Sequence, residues 1–318
     1  MTTKPAVRLY AEDSSSSSSA STTETTSELA QRPPKMYIPV SFDEMIKQVS
    51  STMEDAVKSD KKRQIIRIML PRSPDNDQFG TFYETNVVNP DKYVDTVLVP
   101  PDETWQGGIM QLYRAASLAT QEILRRYTRN AAGGVVPRLQ EDRSFDESGV
   151  DGVGLWLTQG TTASEDVSVF VQPNQESVDG IESISKQAGP NRLVALINPQ
   201  WRIVDDALDV ASRKTDSVFG KFASFLGGKG NSLRRLEEEM GFENVYVLEG
   251  YVCRGGNIRL IKRFDTDWYV FAENDAGTDY IEVGSSVQRP TYQECDEMLE
   301  DNDISFKYAR DIGLAPKL

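Results

Sequence analysis

Histidine does not occur anywhere in the 318 residues of this chain. Imidazole is the usual general base near neutral pH and a very common metal ligand. Its absence therefore excludes Ser-His-Asp and Cys-His catalysis and the common zinc sites. The chemistry that remains belongs to carboxylates, lysine, tyrosine and cysteine, and to metals such as magnesium that bind oxygen ligands.

Cysteine is nearly absent as well, since Cys253 and Cys295 are the only two. Two isolated cysteines do not make a disulfide framework, which favours a reducing compartment. Both stand among apolar residues, so we predict that they belong to the core. A redox pair is the alternative, because separation in sequence says nothing about distance in the fold.

Long apolar runs and an excess of positive charge are missing too. No window reaches the roughly 18 consecutive apolar residues of a membrane-spanning helix, so we expect a soluble protein with at most peripheral membrane contact. The formal net charge is −14. Such a surface repels phosphate backbones, and the chain is therefore not expected to bind nucleic acid.

The residues that are present divide the chain near position 35. Residues 1–35 contain an unbroken serine run, Ser14 to Ser19, and too few apolar residues to offset the entropy of ordering. We predict a disordered Ser/Thr-rich tail here, and its acidic residues leave open whether it is a processed transit peptide. Residues 36–318 show no internal repeat and no linker, and we predict a single composite domain.

The first two thirds of that domain alternate between helix and strand patterns. A capping box at Ser41 and Glu44 opens a helix that keeps its apolar period to about Lys58. An apolar face from Trp105 to Tyr127 marks the strongest helix signal of the chain. Apolar runs typical of strands, and a weaker helix at 178–188, complete the pattern. The strand runs are Ile65–Pro71, Tyr93–Val99, Val153–Leu157, Val167–Val171 and Arg192–Ile197. This alternation predicts an α/β fold whose mostly parallel sheet is covered by helices.

The last third of the domain changes character. Short strand patterns follow one another there, with turns rich in glycine, asparagine or aspartate between them. They are Val245–Cys253, Ile258–Phe264, Trp268–Ala272 and Tyr280–Val283. These strands predict an antiparallel meander attached to the α/β part. A second capping box, Thr291 with Glu294, begins a closing helix.

One glycine-rich stretch suggests phosphate binding. Gly228, Lys229 and Gly230 combine backbone N–H groups with a lysine, which suits a phosphate at a helix N-terminus. The P-loop pattern is incomplete, because Phe225 stands where its second glycine belongs and Asn231 interrupts its end. The alternative is a plain connection between two helices with a glycine C-cap.

Two further motifs carry weaker signals. Asp205 and Asp209 share a helix face and so present two carboxylates to a magnesium ion. Acids at such positions are ordinary surface residues, and we predict no metal site. Gly152 and Gly154 have suggestive spacing, but Leu157 stands where a dinucleotide-binding fingerprint needs its last glycine. We predict a loop there, and we assign no catalytic residue and no cofactor.

An aromatic stripe is the best candidate for an interaction surface. Its residues share one face of a predicted helix and have lysines nearby. They are Val218, Phe219, Phe222, Phe225 and Leu226. Such a face docks into a partner groove or lies on a membrane surface. The alternative is that the stripe covers the sheet as part of the core.

Several segments together resemble a plastid family. They are Ile38–Met45, Arg67–Pro71, the helix after Gly107–Gly108, Leu196–Trp201, and Trp268–Val270 before Arg289–Pro290. The family is a domain of unknown function found in algae, plants and cyanobacteria. Its plant members include a photosystem II assembly factor and the C-terminal region of a chloroplast adenylate kinase. The resemblance covers residues 36–310 and includes no catalytic signature. It implies an α/β fold and a chloroplast location, in the stroma or on the stromal face of the thylakoid.

Two functions are consistent with these patterns. The first is a non-catalytic plastid binding or assembly factor in photosystem II biogenesis, which contacts thylakoid membrane proteins through the aromatic stripe. The second is a nucleotide- or phosphate-binding enzyme of the stroma, with Lys229 on the phosphate and Asp205 or Asp209 on magnesium. Because ligands of open α/β sheets bind at the carboxyl ends of the strands, Asn198 is the position to examine in that case.

Overall fold

The computed structural model describes residues 36–72, 97–101, 108–131, 138–160, 162–201, 235–275 and 279–306. Its α-helices are α1 (Phe42–Lys58), α2 (Ile109–Ala131), α3 (Val178–Ala188) and α4 (Tyr292–Asp301). The described part also contains a π-helical turn, Arg235–Glu239, and two 3₁₀ turns, Ala163–Glu165 and Gln175–Ser177.

The strands form a nine-stranded sheet and a two-stranded sheet. The first strands of the large sheet are β1 (Arg63–Arg67), β4 (Arg138–Asp142), β5 (Gly154–Gln159), β6 (Val167–Val171) and β7 (Leu193–Ile197). The others are β8 (Glu243–Cys253), β9 (Gly256–Lys262), β10 (Trp268–Glu273) and β11 (Tyr280–Ser286). They lie in the order β11-β10-β9-β8-β1-β7-β6-β5-β4. The small sheet pairs β2 (Leu70–Arg72) with β3 (Val97–Val99) in antiparallel orientation.

Parallel strands make up the centre of the large sheet. β6 pairs with β7, β7 with β1 and β1 with β8, all in parallel. Every residue of β7 is buried, as expected for a strand whose two faces are both covered by helices. An unbroken run of Leu, Val, Ala and Ile satisfies that environment, and the predicted α/β fold class is confirmed.

Antiparallel strands flank this centre on both sides. β8, β9, β10 and β11 form the predicted C-terminal meander. On the other side, β4 and β5 are antiparallel to each other, and β5 is antiparallel to β6. The strand β4 was not predicted, because its sequence, Arg-Leu-Gln-Glu-Asp, is polar on both faces, as an edge strand tolerates.

Helices α3 and α4 cover one face of the sheet. Val178 and Ile181 of α3 pack with Ile65 and Leu196 of the parallel strands. Cys295 and Leu299 of α4 pack over the meander, in a cluster with Leu260 and Val270 among others. Cys253 belongs to the same cluster, and burial raises the pKa of its thiol to about 11. Both cysteines are therefore buried core thiols, as predicted, and a thiol with so high a pKa is a poor nucleophile.

Helices α1 and α2 cover the opposite face. The hydroxyl of Tyr246 donates to Gln48 Oε1 of α1 at 3.0 Å, and the indole of Trp156 donates to Ser117 Oγ of α2 at 2.8 Å. These buried polar groups are paired across the layer, so their hydrogen bonds offset the cost of desolvation while they fix the helices on the sheet. The α1/α2 face and the α3/α4 face thus sandwich the parallel strands.

Local sequence signals place the helix ends where they were predicted. Thr291 and Glu294 form a reciprocal capping box at α4. At α1 the Ser41 side chain accepts the N–H of Glu44 at 3.2 Å. The Glu44 carboxylate reaches back to the N–H of Val40, at 3.0 Å, one residue further than the standard box.

One strand prediction needs correction. Ile65–Pro71 was predicted to be a single strand, but the structure divides it into β1, a break at Ile68 and Met69, and β2 of the small sheet. At this break the side chain of Asn198 forms hydrogen bonds with the N–H and the carbonyl of Ile68. The division into a tail and one composite domain stays a prediction.

Candidate functional site: the carboxyl edge of the parallel strands

The carboxyl ends of β6, β7 and β1, with the residues that follow them, form the carboxyl edge of the sheet. Ligands of open α/β sheets bind at this edge, at the point where connections leave neighbouring strands toward opposite faces. The connection after β1 contains α2, on the α1/α2 face. The connection from β7 to β8 ends in the π-helical turn, whose Leu236 packs on the α3/α4 face. The switch point therefore lies between β1 and β7.

Asn198 occupies that switch point. Its Oδ1 accepts the N–H of Ile68 at 2.8 Å, and its Nδ2 donates to the carbonyl of Ile68 at 3.0 Å. The backbone N–H of Asn198 donates to the carbonyl of Ile66 at 2.9 Å. The side chain thus continues the ladder between β1 and β7 by one further pair of bonds. Asn198 is only 7% exposed, so its amide holds two strand ends together rather than facing solvent.

Gln172 ends the neighbouring strand in a similar way. Gln172 and Asn198 both have positive φ, 49° and 47°, and each precedes a proline. The left-handed region is uncommon for residues other than glycine and costs about 1–3 kcal/mol. Gln172 is 4% exposed, and its Oε1 has no hydrogen-bond partner among the described residues. Strain and an unsatisfied amide thus coincide at the carboxyl edge.

Gln200 joins the strand ends to a neighbouring loop. Its Nε2 donates both to the carbonyl of Gln172 at 2.9 Å and to the carbonyl of Asp151 at 2.7 Å. Its own N–H donates to the carbonyl of Pro173 at 2.9 Å. The segment after β7 is thereby tied to the segment after β6 and to the loop between β4 and β5.

That loop contains the closely spaced glycines that the sequence singled out, and they have a packing role. A Cβ at Gly152 would lie 2.7 Å from Cγ1 of Ile109, and one at Gly154 would lie 2.1 Å from the Tyr113 hydroxyl. The glycines let the loop lie directly on the first turns of α2. Gly154 begins β5, as the prediction of a loop leading into a strand requires.

A buried carboxylate organises the same loop. Asp146 accepts the N–H groups of Gly152 at 2.7 Å and Val153 at 3.2 Å, and lies 3.4 Å from the Arg143 guanidinium. Burial alone would raise the pKa of Asp146, but the backbone N–H donors, with the hydroxyl of Ser148, hold it below its ordinary value. The carboxylate is therefore ionised and structural at neutral pH.

Arg143 also stacks on Tyr113, with 4.0 Å from its guanidinium carbon to the ring centroid. The Tyr113 hydroxyl donates to Glu141 at 2.5 Å. Burial, with a further contribution from this hydrogen bond, raises the pKa of Tyr113 to about 12. A phenol with such a pKa stays protonated near neutral pH, so it serves as a hydrogen-bond donor rather than as a base.

Two arginines, Arg67 and Arg289, share the carboxylate of Glu249 at the carboxyl edge, on the α3/α4 face. Arg67 donates to the carbonyls of Pro199 at 3.3 Å and Trp201 at 2.7 Å, and its Nε lies 4.0 Å from Glu249. Arg289 donates to the same carboxylate through Nε at 3.1 Å and Nη2 at 2.9 Å. These side chains are 7–20% exposed. No spacing in the sequence joins these three residues, although the charged Arg67 inside an apolar strand run is a signal for one of them.

The predicted site residues lie outside the described part of the chain. These are the partner-binding candidates Val218, Phe219, Phe222, Phe225 and Leu226, the phosphate-binding candidates Gly228, Lys229 and Gly230, and the weaker metal candidates Asp205 and Asp209. The structure therefore does not test them. It does describe the two residues that flank their segment, Trp201 and Arg235.

In the seven described ranges, no group of three or more cysteine, aspartate or glutamate side chains is placed to hold a metal ion. Across the same ranges, no helix is both long and apolar enough to span a membrane.

The protein is therefore a mixed α/β protein whose sheet has parallel strands at its centre and antiparallel strands on both sides. At its switch point, Asn198 joins the ends of β1 and β7. Residues 39–297 match the family model described as Domain of unknown function (DUF1995), and the chain belongs to that family. No curated protein and no solved structure matches the chain.

Proposed function

We propose that this protein is a non-catalytic binding protein of the plastid that assists the assembly of thylakoid membrane complexes, photosystem II among them. The observation that supports this most is the position of Asn198. In α/β enzymes the switch point receives the ligand. Here Asn198 uses both polar atoms of its amide there to bind the backbone of Ile68. The sheet is thus braced as a scaffold at this point.

The proposed partner surface is the aromatic stripe at Val218, Phe219, Phe222, Phe225 and Leu226. Its support is the anchoring of the described residues on either side of that segment. Trp201 packs into the cluster beneath α3, and its carbonyl is bound by Arg67. Arg235 pairs with Asp179 of α3 at 3.0 Å and also with Glu182. The described residues on both sides of the segment are therefore anchored, Trp201 by Arg67 of the sheet and Arg235 by α3, which favours the segment as a carrier for a docking surface.

The proposed location is the stroma or the stromal face of the thylakoid, where peripheral contact with membrane proteins takes place. The support comes from the resemblance to plastid proteins and from the shortage of cysteine, which suits a reducing compartment. The net charge of −14 favours partners with basic surfaces, because complementary charge speeds encounter.

A pull-down from gently solubilised plastid membranes tests the proposal. The parent protein is expected to recover photosystem subunits or their insertion machinery. The triple variant Phe219→Ser, Phe222→Ser, Phe225→Ser is expected to keep the circular dichroism spectrum and the melting temperature of the parent and to lose the partner. If the variant unfolds, the stripe is core and the site proposal fails.

A matched control removes apolar surface elsewhere. Val252, Ile281 and Val287 are 62%, 52% and 78% exposed, so serine at these positions should leave the fold intact. This control variant is expected to recover the same partners as the parent. Equal loss in both triple variants would mean that general surface hydrophobicity, rather than the stripe, carries the interaction.

The second candidate is a nucleotide- or phosphate-binding enzyme of the stroma, and the unsatisfied Oε1 of Gln172 favours it. A buried amide oxygen beside a switch point is suited to a ligand donor. Titration calorimetry with ATP, ADP and sugar phosphates distinguishes the two candidates. Heat of binding that is lost in Lys229→Ala would favour the enzyme, whereas no heat with any ligand would set it aside.

A further inference from the structure

A polar cleft of about 340 Å³ lies between α3 and the π-helical turn, on the α3/α4 face. We call it the α3 cleft. It is separate from the carboxyl edge, because one of its lining residues, Arg63, is the first residue of β1 and so stands at the opposite end of that strand. Its lining residues are Arg63, Glu182, Ser185, Lys186, Arg235, Glu239 and Met240. All of them belong to the described part of the chain.

The ion pairs of the cleft wall neutralise one another. Glu182 pairs with Lys186 at 2.5 Å and with Arg235, and Arg235 also pairs with Asp179 at 3.0 Å. Two cations and two carboxylates thus form a connected network. Hydrogen bonds from Lys186 and Arg235 lower the pKa of Glu182, so this carboxylate is ionised at neutral pH. The network orders the wall without adding net charge.

Arg63 adds a positive charge to the cleft and forms no ion pair with a carboxylate in the described part of the chain. Its Nη1 and Nη2 donate to backbone carbonyls only, those of Lys62, Ser185, Gly189 and Arg192. Burial, with the nearby charge of Arg192 as a second cause, lowers the pKa of Arg63. Arg192 likewise donates to carbonyls, of Gln187 and Ala188. The cleft therefore contains one guanidinium without a described carboxylate partner, that of Arg63, in a protein whose net charge is −14.

Ser185 supplies an unused hydrogen-bonding group. The residue is 7% exposed, and its Oγ has no hydrogen-bond partner among the described residues. A buried serine in a helix usually donates to the carbonyl four residues earlier, as Ser50 does to Ile46 at 2.7 Å. Ser185 does not make that bond, and the residue is one of those that line the cleft.

The opposite wall of the cleft is the π-helical turn. Such turns are rare, and they occur frequently at functional sites because they redirect side chains out of the regular helical pattern. Here the turn places Arg235 and Glu239 on the cleft, followed by the apolar side chain of Met240. Glu239 is exposed, so solvent and salt screen its negative charge.

We propose that the α3 cleft binds a small oxyanion, a phosphate or a carboxylate, through the Ser185 hydroxyl and the positive charge of Arg63. The hydroxyl donates its unused proton to the anion. Lys186 contributes an ammonium group whose remaining donors are free to turn toward it, since only Glu182 accepts from it among the described residues. Met240 contacts an apolar portion of the ligand. This site goes beyond the proposed assembly role and does not depend on it.

Thermal melting with added anions tests the proposal on the full chain. Sodium phosphate and sodium acetate are compared with sodium chloride at equal ionic strength, because screening alone stabilises a chain of this net charge. Phosphate or acetate is expected to raise the melting temperature beyond the chloride value, with a saturating dose dependence. Which anion acts at lower concentration identifies the ligand chemistry. Equal shifts in all three salts would overturn the proposal.

The deciding variant is Ser185→Ala, with Ser183→Ala as its control. Ser183 lies on the same helix but is exposed and outside the cleft. Ser185→Ala is expected to fold and to bind the anion about tenfold more weakly, because one hydrogen bond to a charged group is lost. Ser183→Ala is expected to bind as the parent does. Unchanged affinity in Ser185→Ala would overturn the assignment of the hydroxyl.

Discussion

Asn198 at the carboxyl edge and Ser185 in the α3 cleft are buried to a similar degree but use their polar side-chain atoms in opposite ways. At the carboxyl edge, Asn198 gives both amide atoms to the backbone of Ile68. In the α3 cleft, Ser185 is about as deeply buried, yet its hydroxyl has no partner in the described structure. The amide of Asn198 stabilises the fold, whereas the hydroxyl of Ser185 can still bind a ligand. A buried polar group therefore indicates function only after its hydrogen bonds have been counted.

The largest expected effect is that of Asn198→Ala. The change leaves the N–H and C=O of Ile68 unpaired in a buried setting and places alanine at φ 47°. We expect the free energy of unfolding to fall by about 3–5 kcal/mol, measured by denaturant unfolding. Asn198→Gly separates the two causes, because glycine tolerates the conformation, and it should lose about 1 kcal/mol less. A loss below about 0.5 kcal/mol in Asn198→Ala would show that the amide does not brace the strands.

Arg289→Met is expected to have the next largest effect. It removes both donors from Glu249, which is 20% exposed and, within the described part of the chain, keeps the longer contact with Arg67. We expect a loss of about 2 kcal/mol, below the value for a fully buried pair because solvent reaches the carboxylate. The double variant Arg289→Met, Glu249→Met should recover most of that loss. Strict additivity of the two single changes would contradict direct coupling.

Asp146→Asn tests the loop that Gln200 ties to the carboxyl edge. We expect a loss of about 1–2 kcal/mol at pH 7, because the N–H groups of Gly152 and Val153 would then bind a neutral oxygen. The pKa of folded Asp146 lies below its ordinary value of 3.8. Its contribution is therefore complete above that value and is lost as pH falls through the folded pKa. The difference between the parent and the variant should narrow as the pH falls through the folded pKa, and a difference that does not narrow at all below pH 3.8 would count against this role.

The smallest effect, and the sharpest contrast with Asn198, is expected for Ser185→Ala in the absence of added anion. Removing a hydroxyl without a partner costs no hydrogen bond, and alanine is the better helix former. The free energy of unfolding should stay the same or rise by up to about 1 kcal/mol. A loss greater than about 1 kcal/mol would mean that the hydroxyl is bonded within the fold and would remove the contrast between the two regions.

The sequence predicted those parts of the fold that are determined by residues close to one another in the chain. The unbroken apolar run at Leu193–Ile197 is what a strand covered on both faces requires, and Thr291 with Glu294 are near enough in sequence to mark a helix start. The strand β4 was not predicted, because an edge strand needs no apolar face and its sequence therefore lacks the apolar pattern of a strand. The break after β1 was not predicted, because Asn198, which binds the backbone of Ile68 there, lies far along the chain.

The candidate site could be predicted only in part for the same reason. Strand ends are visible in the sequence, so Asn198 was recognised as a position to examine. Its role as a brace was not visible, since that depends on the left-handed backbone and on Ile68. Arg67, Glu249 and Arg289 converge from three separate elements, and no spacing rule joins them. The α3 cleft likewise combines α3, β1 and the π-helical turn.

Amide hydrogen exchange at Ile68, with and without ATP or ADP, tests the central claim most directly. If Asn198 braces the switch point, the N–H of Ile68 exchanges as slowly as those of β1 and β7, close to the limit set by global unfolding, and nucleotides leave it unchanged. Rapid exchange at Ile68, or protection that appears only with a nucleotide, would show that the carboxyl edge opens to a ligand and would contradict the scaffold account.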